Sequence, residues 1–470
     1  MKPLSLFSLI IIFNSFLSCQ TNQPPTFTEN REVDALFKEW NFEQSPGCAL
    51  AVIKDGEIIY KKGYGTADLE HDVPITPATV FYIGSVSKQF VTMSILLLVE
   101  EGKINLDDAV QTYLPDFPTY EKEVTIRNLI HHTSGIRDYL TLWSLAGNNY
   151  LDHIDETAVY RMITRQKELN FLPGEQYLYS NSCYFMLSMI IEKASGKSLK
   201  EYAQNNIFKP LGMQNSHFHD DYFHIIRDRA FSYFYDENRF NNLIMRFDLV
   251  GSGGLYTSVE DLYLWDQNFY QNELGNSTQK LIENMHQEGI LNNGESAGYA
   301  FALVNGEYRG LKTVSHGGAL AGYRAQLMRF PDQNFSVVIL SNLASFRPTY
   351  MAQNVAEVFL EDDMEPKEED SSSENQDDEE AESYHPGSLE EYQGKFYSDE
   401  LDVNYLLSII DGKLSASAGN NNTWALEPRE NDKFSAWFTL NFERDASGSI
   451  SGFSVDAGRV QNLKFVKLKE

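Results

Sequence analysis

The stretch "FYIGSVSKQF", Phe81–Phe90, places Ser85 three residues before Lys88, between a glycine and an apolar run. The segment that follows, "SKQFVTMSILLLVEEGKI", carries apolar residues at helical spacing and predicts a helix that begins near Ser85. Because residues i and i+3 lie on one face of a helix, the Lys88 amine can reach the Ser85 hydroxyl. Ser85 is therefore either a plain helix cap or a nucleophile that Lys88 activates.

A second stretch, "PGEQYLYSNSCYFML", places Tyr179 and Asn181 between a Pro-Gly turn and an apolar helix. A tyrosine in this position can relay protons, and an asparagine amide can orient both Lys88 and a substrate carbonyl group. These two residues are therefore candidates for the same site as Ser85.

A third stretch, "TVSHGGALAGY", places His316, Gly317 and Gly318 in a strand-like run. Glycines in such a strand allow a substrate backbone to approach its edge closely. They also leave the next backbone N–H group, that of Ala319, able to face an oxyanion.

Taken together and in this order, the three stretches resemble those of serine β-lactamase-like hydrolases. The resemblance is strongest to the branch of class C β-lactamases, penicillin-binding proteins and D-peptidases, peptidase family S12. It runs from about residue 32 to residue 360. Three further stretches agree with it, namely "LIHHTSGIRDY" (129–139), "FKPLGM" (208–213) and "GSGGLYTSVEDL" (251–262).

The resemblance implies a role for each candidate residue. Ser85 is the acylated nucleophile, Lys88 activates it, Tyr179 relays the proton and Asn181 orients the reacting groups. The backbone N–H groups of Ser85 and Ala319 form the oxyanion hole. Whether Lys88 or the Tyr179 phenolate is the base stays open, because a close Lys–Tyr pair titrates as a unit.

His316 replaces the lysine that β-lactamases usually carry in the third motif. Imidazole is mostly neutral at pH 7, so a β-lactam carboxylate would meet little fixed positive charge there. D-aminopeptidase and D-peptidase relatives carry His-x-Gly at this position. We therefore expect weak turnover of the β-lactam nitrocefin, and better activity on D-amino acid derivatives or neutral esters.

Patterns from both ends of the 32–360 segment predict the architecture of this domain. "CALAVIKDGEIIYKKGYG" reads as a hairpin around Asp55-Gly56, and strand-like runs return in "FSVVILSN". Mostly helical patterns lie between them. The prediction is an α+β fold in which the terminal runs meet in one antiparallel sheet that packs against a helical subdomain.

The remainder of the chain divides into an acidic segment and a small β domain. Residues 361–382 hold thirteen acidic residues against one lysine, so 361–388 is predicted to be a disordered linker. Residues 389–470 have short β-rich runs that predict a small β-barrel, similar to lipocalin-like barrels appended to some family members. A catalytic unit that ends near Glu361 is expected to fold by itself.

The N-terminus reads as a targeting segment. Residues 1–19 have a short apolar run that ends in Ser18-Cys19, which resembles a bacterial lipoprotein signal, and 20–31 reads as a tether. We expect lipid attachment at Cys19 and a location in the cell envelope, facing the periplasm or the exterior. The alternative is an ordinary signal peptide that contains a cysteine.

Composition restricts the partners. The net charge of −29 would repel phosphate backbones, so we expect no nucleic-acid binding. Cys48 and Cys183 are expected to be buried free thiols, and no cofactor or metal is expected, since the histidines of "HFHDDYFH" fit no standard zinc spacing. We expect a monomer whose partners are small molecules or short peptides.

The sequence thus predicts a serine hydrolase that cleaves small amides, D-amino acid peptides or esters through an acyl-enzyme. Three alternatives stay open. The same motifs serve an acyltransferase or esterase, and they serve a true β-lactamase. A non-catalytic envelope protein that kept the fold for binding is the alternative from another class.

Overall fold

The structure, a computed structural model, describes residues 29–41, 44–149, 151–367, 388–419 and 422–469. The predicted signal segment, Cys19 and most of the predicted tether and acidic linker lie outside the described residues. Within the described ranges, no helix combines the length and apolar character needed to cross a bilayer.

The helices are α1 Arg31–Leu36, α2 Lys88–Glu100, α3 Ile126–Ile130, α4 Tyr139–Leu145, α5 Glu156–Thr164, α6 Asn181–Ser195, α7 Leu199–Ala203, α8 Lys209–Leu211, α9 Val259–Tyr270, α10 Lys280–Met285 and α11 Pro348–Leu360. Short 3₁₀ or π segments adjoin several of them, including a 3₁₀ turn at Gly84–Ser87 that leads into α2.

The strands of the first domain are β1 Cys48–Lys54, β2 Glu57–Tyr64, β3 Thr66–Asp68, β4 Val73–Pro74, β5 Phe81–Tyr82, β6 His217–Phe218, β7 Tyr233–Asp236, β8 Arg239–Asn242, β9 Leu255–Thr257, β10 Val304–Tyr308, β11 Leu311–Leu320, β12 Tyr323–Phe330 and β13 Phe335–Ser341. Those of the second are β14 Gly394–Ser398, β15 Val403–Ile410, β16 Lys413–Ala418, β17 Asn422–Ala425, β18 Glu427–Glu430, β19 Lys433–Ser435, β20 Thr439–Arg444, β21 Ile450–Ala457 and β22 Val460–Lys467.

Six antiparallel strands form the main sheet, in the order β10-β11-β12-β13-β1-β2. β1 and β13 pair directly, with Val52 opposite Val337, so the two ends of the catalytic segment meet as the sequence predicts. Asp55 and Gly56 both have positive φ and close the β1–β2 hairpin. Cys48 and Cys183 are buried and free, which is also as predicted.

The helical subdomain packs its two central helices, α2 and α6, against each other. All residues of α2 from Lys88 to Leu98 are buried, and most of the first two-thirds of α6 is buried as well. A helix that is enclosed on all sides is stabilised by packing more than by the intrinsic helix propensity of its residues. The turn before α2 lies against β11, and the N-terminus of α6 contacts Lys88 of α2, so the first two sequence motifs meet there.

Residues 361–367, beyond the predicted boundary at residue 360, contact the first domain. Glu361–Asp363 form a 3₁₀ turn, and Met364 is 8% exposed. The Arg309 guanidinium is bonded to the Glu361 carboxylate and to the backbone oxygen of Glu365. Residues 361–367, which the sequence analysis assigned to the linker, are thus held against the domain by Met364 and Arg309, and the predicted linker boundary stays a prediction.

The second domain is a nine-stranded antiparallel sheet in the order β17-β16-β15-β14-β22-β21-β20-β19-β18, curved into a nearly closed barrel. Its interior is aromatic, with Phe453 stacked on Phe465 and both packed against Tyr405. The predicted α+β fold with a small all-β C-terminal domain is thus confirmed.

The two domains share a buried interface. Leu142 and Leu145 of α4 belong to the apolar core of the barrel. The buried Arg137 guanidinium lies 2.7 Å from the Glu400 carboxylate, and neither side chain is more than 7% exposed. The sequence predicted a catalytic unit that does not need the barrel. The shared core argues against that, because removal of the barrel would expose these side chains to water.

Candidate active site

Ser85 and Lys88 meet as their spacing predicts. Ser85 lies in the 3₁₀ turn before α2, where residues i and i+3 eclipse each other, and Lys88 is the first residue of the α-helix. The Lys88 Nζ atom is 3.0 Å from Ser85 Oγ. Ser85 is half-buried and lines a cleft, whereas Lys88 is fully buried beneath it.

Two carbonyl oxygens complete the surroundings of the Lys88 amine. Asn181 Oδ1 lies 3.0 Å from Nζ, and the backbone oxygen of Ser252 lies 2.5 Å from it. Burial lowers the pKa of Lys88 well below its ordinary value, although the nearby Asp138 carboxylate acts in the opposite direction. Two carbonyl acceptors suit the two N–H bonds of a neutral amine and leave its lone pair facing Ser85 Oγ.

Asn181 is held in place by Asp138. The Asp138 carboxylate accepts a hydrogen bond of 2.6 Å from the Asn181 backbone N–H and another of 3.0 Å from Thr141 N at the start of α4. Asp138 is buried, so these bonds replace its lost hydration. The sequence stretch "LIHHTSGIRDY" contains Asp138, but its role was not predicted.

Tyr179 lies at the same cleft, with its ring centroid 4.9 Å from Lys88 Nζ. Burial raises the pKa of Tyr179, and the neighbouring Ser85 hydroxyl offsets this only in part. Apart from this approach of Ser85, no described residue comes within hydrogen-bonding geometry of the Tyr179 hydroxyl. A protonated phenol beside the nucleophile in the cleft is suited to give a proton to a bound group.

His316 lines the cleft, but both of its ring nitrogens are engaged within the protein. Nδ1 lies 2.7 Å from the Gly317 backbone oxygen and therefore carries the proton. Nε2, 2.9 Å from the Tyr299 hydroxyl, then accepts a hydrogen bond from it. Burial, with Lys88 as a lesser cause, lowers the pKa of His316 to about 4, so the ring is neutral at pH 7.

The backbone of the Ser85 turn lies directly against β11. A Cβ atom on Gly318 would stand 1.9 Å from the Ile83 carbonyl oxygen and 3.0 Å from Ser85 N. One on Gly84 would stand 2.6 Å from Ala319 N. Only glycine at positions 84 and 318 allows the two backbones to lie this close. As a result, Ser85, Gly317 and Ala319 line the same cleft.

The cleft has a volume of about 480 Å³ and includes Ser85, Tyr179, Asn181, His316 and the Gly317–Ala319 segment in its wall. All the predicted site residues therefore meet in one place, apart from Cys19, which lies outside the described residues. Their catalytic roles stay predictions.

Besides Asp138, sequence reasoning missed several neighbours of the site. Tyr299 fixes the His316 tautomer, and Ser252 supplies a carbonyl oxygen to Lys88. Arg459, from the barrel, also lines the cleft. Ser252 lies in the family-like stretch "GSGGLYTSVEDL", but no signal in the sequence points to Tyr299 or Arg459.

Comparisons with known proteins agree with this geometry. The family model described as Beta-lactamase matches residues 33–359. Penicillin-binding protein 4* from Bacillus subtilis (strain 168) is 31% identical over 329 residues, which cover 67% of this chain and 72% of that protein. A D-aminopeptidase from Gluconobacter oxydans (strain 621H) is 30% identical, over 66% of this chain and 58% of that protein. The chain thus spans less than two-thirds of the D-aminopeptidase.

Among solved structures, the octameric penicillin-binding protein homologue from Pyrococcus abyssi is 25% identical, with a TM-score of 0.64. The match covers 93% of this chain and 98% of that one, so it includes the barrel as well as the catalytic domain. From the family match and the Bacillus relative together, the chain belongs to the Beta-lactamase family, a family of serine hydrolases.

Proposed function

We propose that this protein hydrolyses small amides, D-amino acid peptides or esters through an acyl-enzyme on Ser85. The observation that carries the proposal is the buried Lys88 amine, 3.0 Å from Ser85 Oγ and held by two carbonyl oxygens. A structural lysine would need a carboxylate partner to be buried at low cost, whereas the Lys88 amine has no ion pair with any described residue. D-aminopeptidases among the relatives support the substrate class.

The lowered pKa of Lys88 favours the neutral amine as the base, and the raised pKa of Tyr179 favours a protonated phenol. Ser85 Oγ attacks the substrate carbonyl carbon while its proton passes to Lys88 Nζ. The negative charge that develops on the carbonyl oxygen is stabilised by the Ser85 and Ala319 N–H groups.

Tyr179 then gives its phenolic proton to the leaving nitrogen or oxygen as the bond to the carbonyl carbon breaks. Tyr179 regains a proton from the Lys88 ammonium, so the acyl-enzyme carries no net change in charge. Water attacks the acyl carbon in the second step. Its proton passes to the neutral Lys88 amine and from there to Ser85 Oγ, which leaves the carboxylic acid product and restores the enzyme.

The direct test is the variant Ser85→Ala, compared with Ser417→Ala on the surface of the barrel. We expect Ser85→Ala to abolish cleavage of p-nitrophenyl esters and D-alanine amide, and to abolish labelling by a fluorophosphonate. Ser417→Ala should resemble the wild type in both assays. Full ester cleavage by Ser85→Ala would contradict the assignment.

Acyl transfer to an alcohol or amine is a second function that the same groups support. Half-buried Ser85 is reached from an open cleft, so an acceptor other than water can enter. Product analysis with D-alanine methyl ester and added methylamine separates the two. Accumulation of the methylamide would favour the transferase, and free acid alone would favour the hydrolase.

We propose that the protein is attached to a membrane through lipid at Cys19 and acts as a monomer. The support is the "FLSC" sequence at the end of the apolar segment. Metabolic labelling with palmitate should mark the wild type and not Cys19→Ala. Light scattering of a form without residues 1–19 tests the monomer, which matters because the Pyrococcus relative is described as octameric.

A further inference from the structure

The barrel contributes one cationic side chain to the cleft of the other domain. Arg459 follows Gly458 in the turn between β21 and β22. Its guanidinium carbon lies 4.7 Å from the centroid of the Tyr179 ring. Tyr179 and Arg459 line the same cleft as Ser85. A residue 374 positions further along the chain thus stands beside the candidate nucleophile.

Backbone bonds hold this turn in place without using the Arg459 side chain. The Arg459 carbonyl oxygen accepts hydrogen bonds from Asp138 N at 3.3 Å and from Asn170 Nδ2 at 3.0 Å. Gln461, two residues further along, donates its backbone N–H to Asn170 Oδ1 at 2.8 Å, and its carbonyl oxygen accepts a hydrogen bond from the Arg137 guanidinium. The side chain is therefore presented to the cleft by a fixed backbone.

The charge of Arg459 is unusual for its surroundings. The chain has 67 acidic residues, yet among the described residues no aspartate or glutamate lines the cleft. Arg324 of β12 also lines it, and its guanidinium donates hydrogen bonds to the backbone oxygens of Ala321 and Tyr323. Among the described residues no carboxylate forms an ion pair with Arg459, and the side chain is exposed. A guanidinium group binds a carboxylate through two parallel hydrogen bonds, so this position suits an anion that arrives from solution.

The position of Arg459 also indicates which part of the substrate it meets. Tyr179 protonates the leaving group in the proposed mechanism, so the leaving group departs next to the Tyr179 hydroxyl. Arg459 packs on the ring that carries this hydroxyl. His316, the residue that replaces the third-motif cation, is neutral and has both nitrogens engaged. Arg459 therefore supplies a positive charge that His316 does not.

We propose that Arg459 is a specificity-determining residue, which binds a carboxylate carried by the leaving group of the substrate. The favoured substrates are then short peptides whose leaving amino acid ends in a free carboxylate, rather than simple amides. The proposal rests on the hydrolase function proposed above. It also gives the barrel a function, since the cleft lacks this cation without it.

The test compares N-acetyl-D-alanyl-D-alanine with its C-terminal amide, in the full-length protein. We expect the wild type to cleave the acid with a kcat/KM on the order of tenfold or more above that of the amide, mainly through KM. Arg459→Gln should lose this preference, and Arg459→Lys should retain part of it. Added salt should weaken the preference of the wild type. Arg429→Gln, an exposed arginine of the barrel bonded to Ser435, is the matched control and should resemble the wild type.

The outcomes separate this proposal from the hydrolase itself. If p-nitrophenyl esters are cleaved but the wild type does not distinguish acid from amide, the role of Arg459 is wrong and the hydrolase stands. If Arg459→Gln raises kcat/KM for both peptides, Arg459 covers the cleft rather than binding a carboxylate, and the proposal is overturned. If neither the esters nor the peptides are cleaved, the proposed hydrolase function is wrong, and the role of Arg459 that rests on it is wrong as well.

Discussion

The two walls of the cleft are built in different ways. The wall formed by the Ser85 turn, α6 and β11 comes from the catalytic domain, and its groups are placed by short-range geometry such as the Ser85–Lys88 spacing. The Arg459 wall consists, among the described residues, of this one side chain from the barrel, and its position depends on contacts between domains. The proposed chemistry belongs to the first wall, and the proposed recognition of a carboxylate belongs to the second. Substitutions in the first wall should therefore lower the reaction rate, whereas substitutions in the second should change the substrate preference.

Deletion of the barrel is the strongest test of this division. A chain that ends at residue 367 would expose Leu142, Leu145 and the buried Arg137 guanidinium. We expect it to aggregate or to unfold without a cooperative transition, because the apolar core shared by the domains is lost. Circular dichroism and thermal melts are the measurement. A soluble, cooperatively folded and active truncated chain would show that the catalytic wall is independent after all.

Substitution of Lys88 tests the catalytic wall alone. Lys88→Ala removes the proposed base and should lower kcat/KM by roughly 10²- to 10⁴-fold on esters and peptides alike. The preference for a free carboxylate should persist in any residual activity, because Arg459 is untouched. Activity of the wild type should rise with pH as Lys88 becomes neutral, since its protonated form cannot accept the Ser85 proton. Activity that persists under conditions where Lys88 is protonated would remove it as the base.

Arg137 tests the interface between the walls. Arg137→Leu leaves the Glu400 carboxylate buried without its cation, which typically costs about 3–5 kcal/mol of unfolding free energy. Arg127→Ala, which breaks the exposed pair with Asp107, should cost less than about 1 kcal/mol. Urea denaturation measures both.

We also expect Arg137→Leu to weaken the acid preference more than ester cleavage, because Arg137 holds the carbonyl oxygen of Gln461. Equal stability of the two variants would mean that the interface contributes little.

The same division separates what the sequence predicts from what it misses. Ser85, Lys88, Tyr179 and Asn181 were predictable because each lies in a short motif whose spacing has a chemical meaning. The pairing of β1 with β13 followed from apolar patterns at both ends of the domain. Arg459 has no such motif, since its position depends on how two domains pack, and no local pattern encodes that contact.

The titration of His316 is the smallest of the expected effects. It tests whether the positive charge in the cleft comes from Arg459 rather than from His316. Burial lowers its pKa to about 4, below the value of about 6.5 for an unfolded chain. The unfolded chain therefore binds the extra proton first. The contribution of His316 to stability is complete above pH 6.5 and is lost as the pH falls from 6.5 towards 4. An NMR titration of the imidazole, with His316→Gln to assign the signal, should show a midpoint near 4. A midpoint above about 7 would return a cation to the β11 wall at neutral pH, and Arg459 would then no longer be needed as the substitute for the missing lysine.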